Sequence, residues 1–305
     1  PSLMALAEDP ALAPIVRATA LTLAQPHLQA PALPALRKLL AHPDPLLRAA
    51  AAGSLEPFDP PTRVAAAAPL LADPVRGVRV EAARVLADVP DEQIPVEWRS
   101  ARGPALKEYV DSLKADADWA ASNVNLGNLY LRQGRVDEAI AAYQRALVLD
   151  ELYPGGYLNL ADAYRQARRD ADGEKTLRAA MARMPRNADF HHALGLLLVR
   201  KGDKPAALQS LAQAARLAPD NVRYAYVQAI ALNSMGKRTE ALALLRATQA
   251  RHPDDLDTLN ALVSIQAEAG DAKAALADAE KLAVLMPDDP SVRRLLADLK
   301  ARAAR

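Results

Sequence analysis

Cysteine is absent from this 305-residue sequence, and aromatic residues and glycine are scarce. Without cysteine the sequence offers no disulfide, no thiolate metal site and no covalent haem attachment. Aromatic residues make up 4% of the chain, whereas alanine and leucine are abundant, and these two residues favour helices because they lose little conformational freedom there. With 51% apolar and 25% charged residues the chain can build a large core, so we expect an ordered all-α protein.

The sequence also lacks an excess of either positive or negative side chains. The 38 basic and 37 acidic side chains leave a net charge of +1, so no overall field would attract nucleic acid or an anionic membrane. No run of eighteen apolar residues occurs, and we expect no direct membrane insertion. The first residues include neither an initiator Met nor a basic leader, and Leu3 to Ala7 has the pattern of a helix tail, so we expect the chain to be part of a longer one.

Proline, glycine and alanine recur at a fixed interval in the second half of the sequence. The interval is 34 residues, and the recurring positions are Pro185, Pro219, Pro253 and Pro287; Gly202, Gly236 and Gly270; and Ala207, Ala241 and Ala275. Gly134 and Ala139 extend the same register upstream. A period of this length indicates repeated helical hairpins. The five units are residues 120–153, 154–187, 188–221, 222–255 and 256–289.

Each unit keeps two positions small. The first set is Gly127, Ala161, Gly195, Ala229 and Val263, and the second is Ala139, Gly173, Ala207, Ala241 and Ala275. We interpret them as the contact between the two helices of a hairpin, where a larger side chain would push the helices apart. Gly173 supports this interpretation, because a glycine inside a helix costs about 1 kcal/mol relative to alanine yet keeps the position small.

These units resemble tetratricopeptide (TPR) repeats, which share this length and these small positions. A turn glycine between the helices and a proline after the second helix complete the pattern, although Arg168 replaces the glycine in the second unit. The resemblance covers residues 120–289 and implies an all-α, right-handed α-α superhelix whose concave groove binds a protein or peptide. Residues 290–305 carry leucines at helical spacing and are expected to form a capping helix.

Upstream of these units a shorter period of 31 residues is marked by Arg17, Arg48 and Arg79. An Asp-Pro pair precedes each arginine, at Asp9-Pro10, Asp44-Pro45 and Asp73-Pro74, and Pro14, Pro45 and Pro74 are expected to open the helix that carries it. Residues 1–89 therefore resemble HEAT repeats, which are two-helix units with an Asp-Pro turn before a Val-Arg pair. Residues 90–119 are predicted to form a connector with a helix from Ala105 to Ala117.

No catalytic or metal-binding motif is present. The five histidines form no i, i+4 pair, and no nucleophile elbow, zinc motif or phosphate-binding loop occurs, so we expect a non-enzymatic protein without a cofactor. Adjacent His191 and His192 point about 100° apart on a helix, and we expect His191 to pack inward and His192 to face the groove. Acidic residues such as Asp278 and Glu280 are expected on solvated helix faces.

The TPR resemblance places the binding groove on the first helix of each unit. The predicted peptide-binding residues there are Leu196, Val199, Tyr226 and Ile230, with His192 and Arg223 as polar flanks. A contiguous exposed apolar strip usually marks a contact site. In a single globule such residues would instead be core, and that alternative stays open.

Three asparagines point to a second part of the groove. Asn125, Asn128 and Asn159 are predicted to hydrogen-bond the backbone of an extended peptide, as neutral amides in a groove can. Some TPR proteins hold a terminal carboxylate with Asn and Lys or Arg, and Asn128 and Asn159 occupy the two Asn positions. Because Val124, Asp189 and Ala193 replace the cations, we do not predict that clamp.

Two other interpretations remain. Stretches 125–130 and 191–195, downstream of a HEAT-like segment, are similar to the C-terminal region of bacterial multihaem c-type cytochromes. This resemblance implies periplasmic placement and haem motifs upstream of Pro1, with the chain serving as the interaction region of a redox protein; a cytoplasmic location is the alternative. The other interpretation is self-association through the open ends of the helical array, which requires no external ligand.

Overall fold

The computed structural model describes residues 2–303, and helices and connecting turns make up that range with no strand. The expected all-α class is confirmed. The chain divides into two compact units, one ending at Asn159 and the other beginning at Leu160.

The first unit is built from short helices and one long helix. They are α1 (Leu3–Glu8), α2 (Pro14–Ala24), α3 (Leu33–Leu40), α4 (Pro45–Gly53), α5 (Pro60–Ala67), α6 (Arg76–Val85), α7 (Val96–Ala115), α8 (Ala120–Arg132), α9 (Val136–Leu149) and the start of α10 (Pro154–Gln166). Short 3₁₀ turns lie at Gln25–His27, Ala30–Ala32, Ala68–Ala72 and Asp91–Gln93. Apolar side chains from α1 to α8 share one core, with Leu21, Leu36, Leu55 and Leu86 completely buried.

The Asp-Pro pairs form equivalent turns. The carboxylate of the aspartate accepts a hydrogen bond from the backbone N–H two residues later in all three, at 2.9 Å for Asp9 and 2.8 Å for Asp44 and Asp73. Pro14 and Pro45 open α2 and α4 as predicted, whereas α6 begins at Arg76, two residues after Pro74. The Asx turn, rather than the proline, is therefore the feature common to the three positions.

Two of the repeated arginines form equivalent bonds. Nη1 of Arg48 donates to the carbonyls of residues 42 and 43, and Nη1 of Arg79 donates to those of residues 73 and 74. The rest of each guanidinium binds a carboxylate in two places, Arg48 to Asp73 and Arg79 to Glu108. We call these the arginine bridges.

The connector is more helical than predicted. The expected helix from Ala105 to Ala117 is wrong at its start, because α7 begins at Val96 and continues through Pro104. Ala105 and Tyr109 of this helix are buried, and Trp98 packs against the same core. Trp119, in contrast, is 72% exposed.

From α8 onward the helices recur with the 34-residue period. The later ones are α11 (Asp170–Arg183), α12 (Ala188–Lys201), α13 (Lys204–Leu217), α14 (Val222–Ser234), α15 (Arg238–Arg251), α16 (Leu256–Glu268), α17 (Ala272–Leu285) and α18 (Pro290–Ala303). First helices begin at residues 120, 154, 188, 222 and 256, the first residue of each predicted unit. The second helices of the last four units end two residues before their closing prolines, since a proline disfavours helix in the preceding residue.

The turn between the two helices of each hairpin contains a left-handed residue. Gly134, Gly202, Gly236 and Gly270 have φ between 73° and 82°, and Arg168 takes the same place in the second unit with φ 58°. Left-handed backbone carries a penalty for a residue with a Cβ. The second repeat thus keeps the left-handed turn although arginine replaces the glycine.

The small positions lie where the helices of a hairpin approach each other. A Cβ at Gly127 would lie 2.4 Å from the ring of Tyr143, and one at Gly195 would lie 2.6 Å from Leu211. Both neighbours are fully buried. Helix α18 covers the last hairpin, with Val292 and Leu299 buried in its core; residues 304 and 305 of the predicted cap lie outside the described part of the chain.

Candidate functional site

In the second unit, three large apolar side chains of α12 and α14 are exposed. Leu196 and Ile230 are each 39% exposed and Val199 is 47% exposed. The neighbouring Leu194, Leu197, Leu198 and Leu232 are buried, so the same two helices separate a packed face from this open one. We call Leu196, Val199 and Ile230 the apolar strip.

Contacts between α12 and α14 join these two helices beside the strip. The hydroxyl of Tyr224 donates a hydrogen bond to Asp189, and the ring of Tyr224 lies 4.7 Å from that of His192. Leu196 follows His192 by one helical turn and Val199 by two. The exposed side chains of α12 and α14 therefore belong to adjoining helices.

The two histidines have the opposite of their expected roles. His192, predicted to face the groove, is only 9% exposed, and both of its ring nitrogens are buried without a hydrogen-bond partner among the described residues. His191, predicted to pack inward, is half-buried, and its Nε2 lies 3.0 Å from the carbonyl oxygen of Pro185. The contact with Tyr224 explains the reversal, because the tyrosine ring covers His192.

Tyr226, a predicted groove residue, lies beside a hydrophobic core. It is half-buried and packs against the core shared by α14, α15 and α16, which includes Ala229, Leu245 and Leu262. Arg223 is exposed, as expected of a polar flank. Tyr224, which sequence analysis did not single out, is the aromatic residue that contacts α12.

Burial and local charges favour the neutral forms of His192 and Tyr224. Burial lowers the pKa of His192 from its ordinary value, Arg223 lowers it further, and Asp189 opposes both. The pKa of Tyr224 is raised to about 12 by burial and by its hydrogen bond to Asp189.

In the first unit, Asn128 is the centre of a small hydrogen-bond network. Its Oδ1 accepts from the Tyr143 hydroxyl at 2.7 Å and from Asn159 Nδ2 at 3.1 Å. The structure thus brings two of the three predicted asparagines together. Asn125 is exposed and lies on the same helix as Asn128, whereas Val124, expected at the groove, is buried.

A cavity that the sequence did not reveal lies beside these asparagines. It has a volume of about 280 Å³, and the residues that line it are Arg84, Ala87, Tyr109, Asn125, Asn128, Leu129 and Arg132. Helices α6, α7 and α8 each contribute to it. Arg84 and Tyr109 fall outside the repeat pattern used to locate the groove, so no spacing signal connected them to Asn125.

Asp278 is a further correction. It was expected on a solvated helix face, but it is completely buried. Arg246 and Lys281 each donate to its Oδ1, and Gln266 donates to its Oδ2. Because its partners come from α15, α16 and its own helix α17, this carboxylate links three helices and is part of the structure.

Within residues 2–303, no group of three or more histidine and acidic side chains is placed to hold a metal ion. None of the helices in that range combines the length and the apolar character needed to cross a membrane.

The repeated hairpins, their left-handed turns and their small contact positions define a class of helical-repeat protein. Family comparison makes the class specific: residues 127–167 match a TPR repeat model, and residues 158–222 and 226–292 match a tetratricopeptide repeat model. Together these matches span more than half of the chain, which therefore belongs to the tetratricopeptide repeat family. They begin at residue 127, so the HEAT-like segment and the resemblance to multihaem cytochromes stay predictions.

Solved structures support the same fold. The chain is similar to yeast Tom70, with a TM-score of 0.61 and 18% identity over 95% of this chain and 60% of that one. It also matches YrrB, described as a TPR protein with an unusual peptide-binding site, with a TM-score of 0.46 and 21% identity over 63% and 96% of the two chains. A tetratricopeptide repeat protein from Parabacteroides merdae gives 0.49 and 21% over 66% and 82%. No curated protein sequence matched.

Proposed function

We propose that this chain is a non-catalytic scaffold that binds a protein or peptide along α12 and α14. The observation that carries the proposal is the apolar strip, because its large apolar side chains are exposed although neighbouring leucines of the same helices are buried. Contact of such a strip with a partner would remove its apolar surface from water. Tyr226 and Arg223 lie on the same helix as Ile230 and would supply a half-buried aromatic ring and an exposed cation.

The asparagines of the first unit form a separate polar surface, for which we also propose a role in peptide binding. Asn125 is exposed, and the hydrogen bonds to Asn128 Oδ1 leave its Nδ2 available to donate. Neutral amides of this kind can bond the backbone of an extended peptide without requiring a charged partner. Asn159 supports this surface by orienting Asn128.

The test is the double substitution Leu196→Glu with Ile230→Glu. Two carboxylates on the strip should abolish capture of a partner from lysate, with little change in helical signal or melting temperature, since neither side chain is buried. The matched control is Leu256→Glu with Val284→Glu, which alters exposed apolar residues of α16 and α17 and should leave capture intact.

A captured protein must then bind the purified chain directly, with the same dependence on the strip. Capture that survives the strip substitutions would contradict the proposal, and unfolding of the variant would show that these residues are core. Tyr226→Ala is expected to give the largest loss of any single substitution, because partly buried aromatic residues dominate binding energy.

A further inference from the structure

The cavity beside Asn125 has features of a binding site that the repeat pattern does not explain. Tyr109 is 8% exposed and lines the cavity, yet no hydrogen bond joins its hydroxyl to another residue in the described part of the chain. This hydroxyl can therefore bond a molecule that enters the cavity. A volume of about 280 Å³ is slightly smaller than that of pockets for drug-sized ligands, so it suits one side chain or a short chain segment.

Hydrogen-bond donors predominate among the groups that line this cavity. Asn128 has used its acceptor on Tyr143 and Asn159, which leaves the two N–H bonds of Nδ2. Arg132 bonds through Nη2 alone, and its Nε and Nη1 have no partner in the described residues. With the Tyr109 hydroxyl and the Asn125 amide added, the cavity has a surplus of donors, and a matching ligand must present an acceptor.

The charges around the cavity balance. Arg84 and Arg132 both donate to Glu56, and Arg84 also donates to Glu81 at 2.8 Å and 3.0 Å. The charges of these two guanidinium groups and two carboxylates sum to zero. A charged ligand would lose its hydration without a compensating net attraction, whereas a neutral acceptor loses much less.

We propose that this cavity binds the carbonyl oxygen of a neutral amide, supplied either by an Asn or Gln side chain or by the backbone of a peptide. Asn128, Arg132 and Tyr109 are the donors, and Asn125 at the exposed edge also offers an acceptor for the amide nitrogen. The inference rests on the proposed peptide-binding function and specifies its chemistry in the first unit.

The experiment titrates three small probes into the full ¹⁵N-labelled chain and follows the side-chain amide signals of Asn125 and Asn128. The probes are the N-acetyl amides of glutamine, alanine and glutamate. Glutamine amide should shift both signals, and glutamate amide should bind more weakly at every salt concentration. An equal response to alanine amide would identify the backbone carbonyl as the group bound, and a response to glutamine amide alone would identify the side chain.

Tyr109→Phe removes the hydroxyl and keeps the ring, and it should weaken binding of the preferred amide about two- to tenfold, as for the loss of one neutral hydrogen bond. Tyr130→Phe is the matched control, because Tyr130 is on α8 but its ring faces Arg135; it should leave binding unchanged. Asn125→Ala, at an exposed position, repeats the test without disturbing the core.

Three results would overturn the inference: no shift with any probe, tighter binding of the glutamate amide that weakens with salt, or no effect of Tyr109→Phe and Asn125→Ala. The outcome is independent of the apolar strip, since the Leu196 and Ile230 variants report on partner capture by the second unit. If the Leu196 and Ile230 variants lose partner capture but the chain binds no amide probe, the scaffold proposal stands and the amide-binding proposal is wrong.

Discussion

At the scale of single residues, one contact within a hairpin leaves no room for an extra carbon. Gly195 faces Leu211, and a Cβ placed on it would lie 2.6 Å from both Cγ and Cδ2 of that leucine and 3.2 Å from its backbone nitrogen. The sequence predicted the small position from the period alone. The structure adds its physical cause, which is the fully buried leucine on the opposite helix.

Gly195→Ala is therefore expected to destabilise the protein. Overpacking costs about 1–3 kcal/mol, which exceeds the gain of about 1 kcal/mol in helix propensity, so the melting temperature should fall. Gly77→Ala is the control, because a Cβ there meets nothing within 4 Å; it should be neutral or stabilising. If both variants melt alike in thermal denaturation, the proposed contact does not limit stability.

Asp278→Asn should also lower stability, and the loss should depend on pH. Burial alone would raise the pKa of Asp278, but the hydrogen bonds from Arg246, Lys281 and Gln266 outweigh it and hold the pKa below its ordinary value. The folded state thus binds fewer protons than the unfolded state. The stability that ionised Asp278 contributes is present above its unfolded pKa of about 3.9. It is lost as pH falls through the lower pKa of the folded state.

For Asp278→Asn, urea denaturation should show a loss of about 1–3 kcal/mol in the free energy of unfolding at pH 7. The loss should become smaller toward pH 3. Solvent screening limits this loss, because Arg246 and Lys281 are partly exposed. Asp254→Asn, at an exposed position, should change little at either pH. A loss that stays constant across this range would show that charge is not the cause.

At the scale of helices, the two arginine bridges tie α4 to the turn before α6 and α6 to α7. Arg48 and Asp73 are 13% and 6% exposed and share two hydrogen bonds of 2.8 Å and 3.0 Å. Asp73 also accepts from the backbone of Val75. One aspartate thus serves both its own turn and the preceding arginine.

A double-mutant cycle with Arg48→Gln and Asp73→Asn should give a coupling energy of about 1–3 kcal/mol, as for contacting residues in a shared network. The control cycle uses Arg135 and Glu138, an exposed i, i+3 pair with side chains 45% and 52% accessible, where coupling should be about 0.5 kcal/mol or less. Equal coupling in the two cycles, measured by chemical denaturation, would argue against a special role for the bridge.

At the scale of the whole molecule, the helix limits could be predicted from the repeat period, whereas contacts between side chains of different helices could not. Helix limits in residues 120–289 follow from spacing, because each hairpin repeats the same local rules. The contact between Asp189 and Tyr224, the burial of Asp278 and the cavity around Tyr109 depend on residues from different helices. A single sequence contains no signal for such pairs, which is why His192 and Asp278 were assigned to the wrong surroundings and Arg84 was missed.

The net charge of +1 bears on recognition at the same scale. A molecule without a dominant field gains little from electrostatic steering. Selectivity at the proposed sites would then come from short-range fit at the apolar strip and from hydrogen bonds at the asparagines.

The recurrence of helix starts every 34 residues has an evolutionary consequence. A gene that loses or duplicates one complete unit, such as residues 222–255, joins helix ends of matching register, and every remaining hairpin keeps its own pair of small positions. The fold survives such an event more readily than the binding surface does. Loss of that unit removes Tyr224, Tyr226 and Ile230 together, and gain of a unit inserts a new pair of helices beside the strip. Changes in repeat number would therefore alter what this protein recognises before they alter whether it folds.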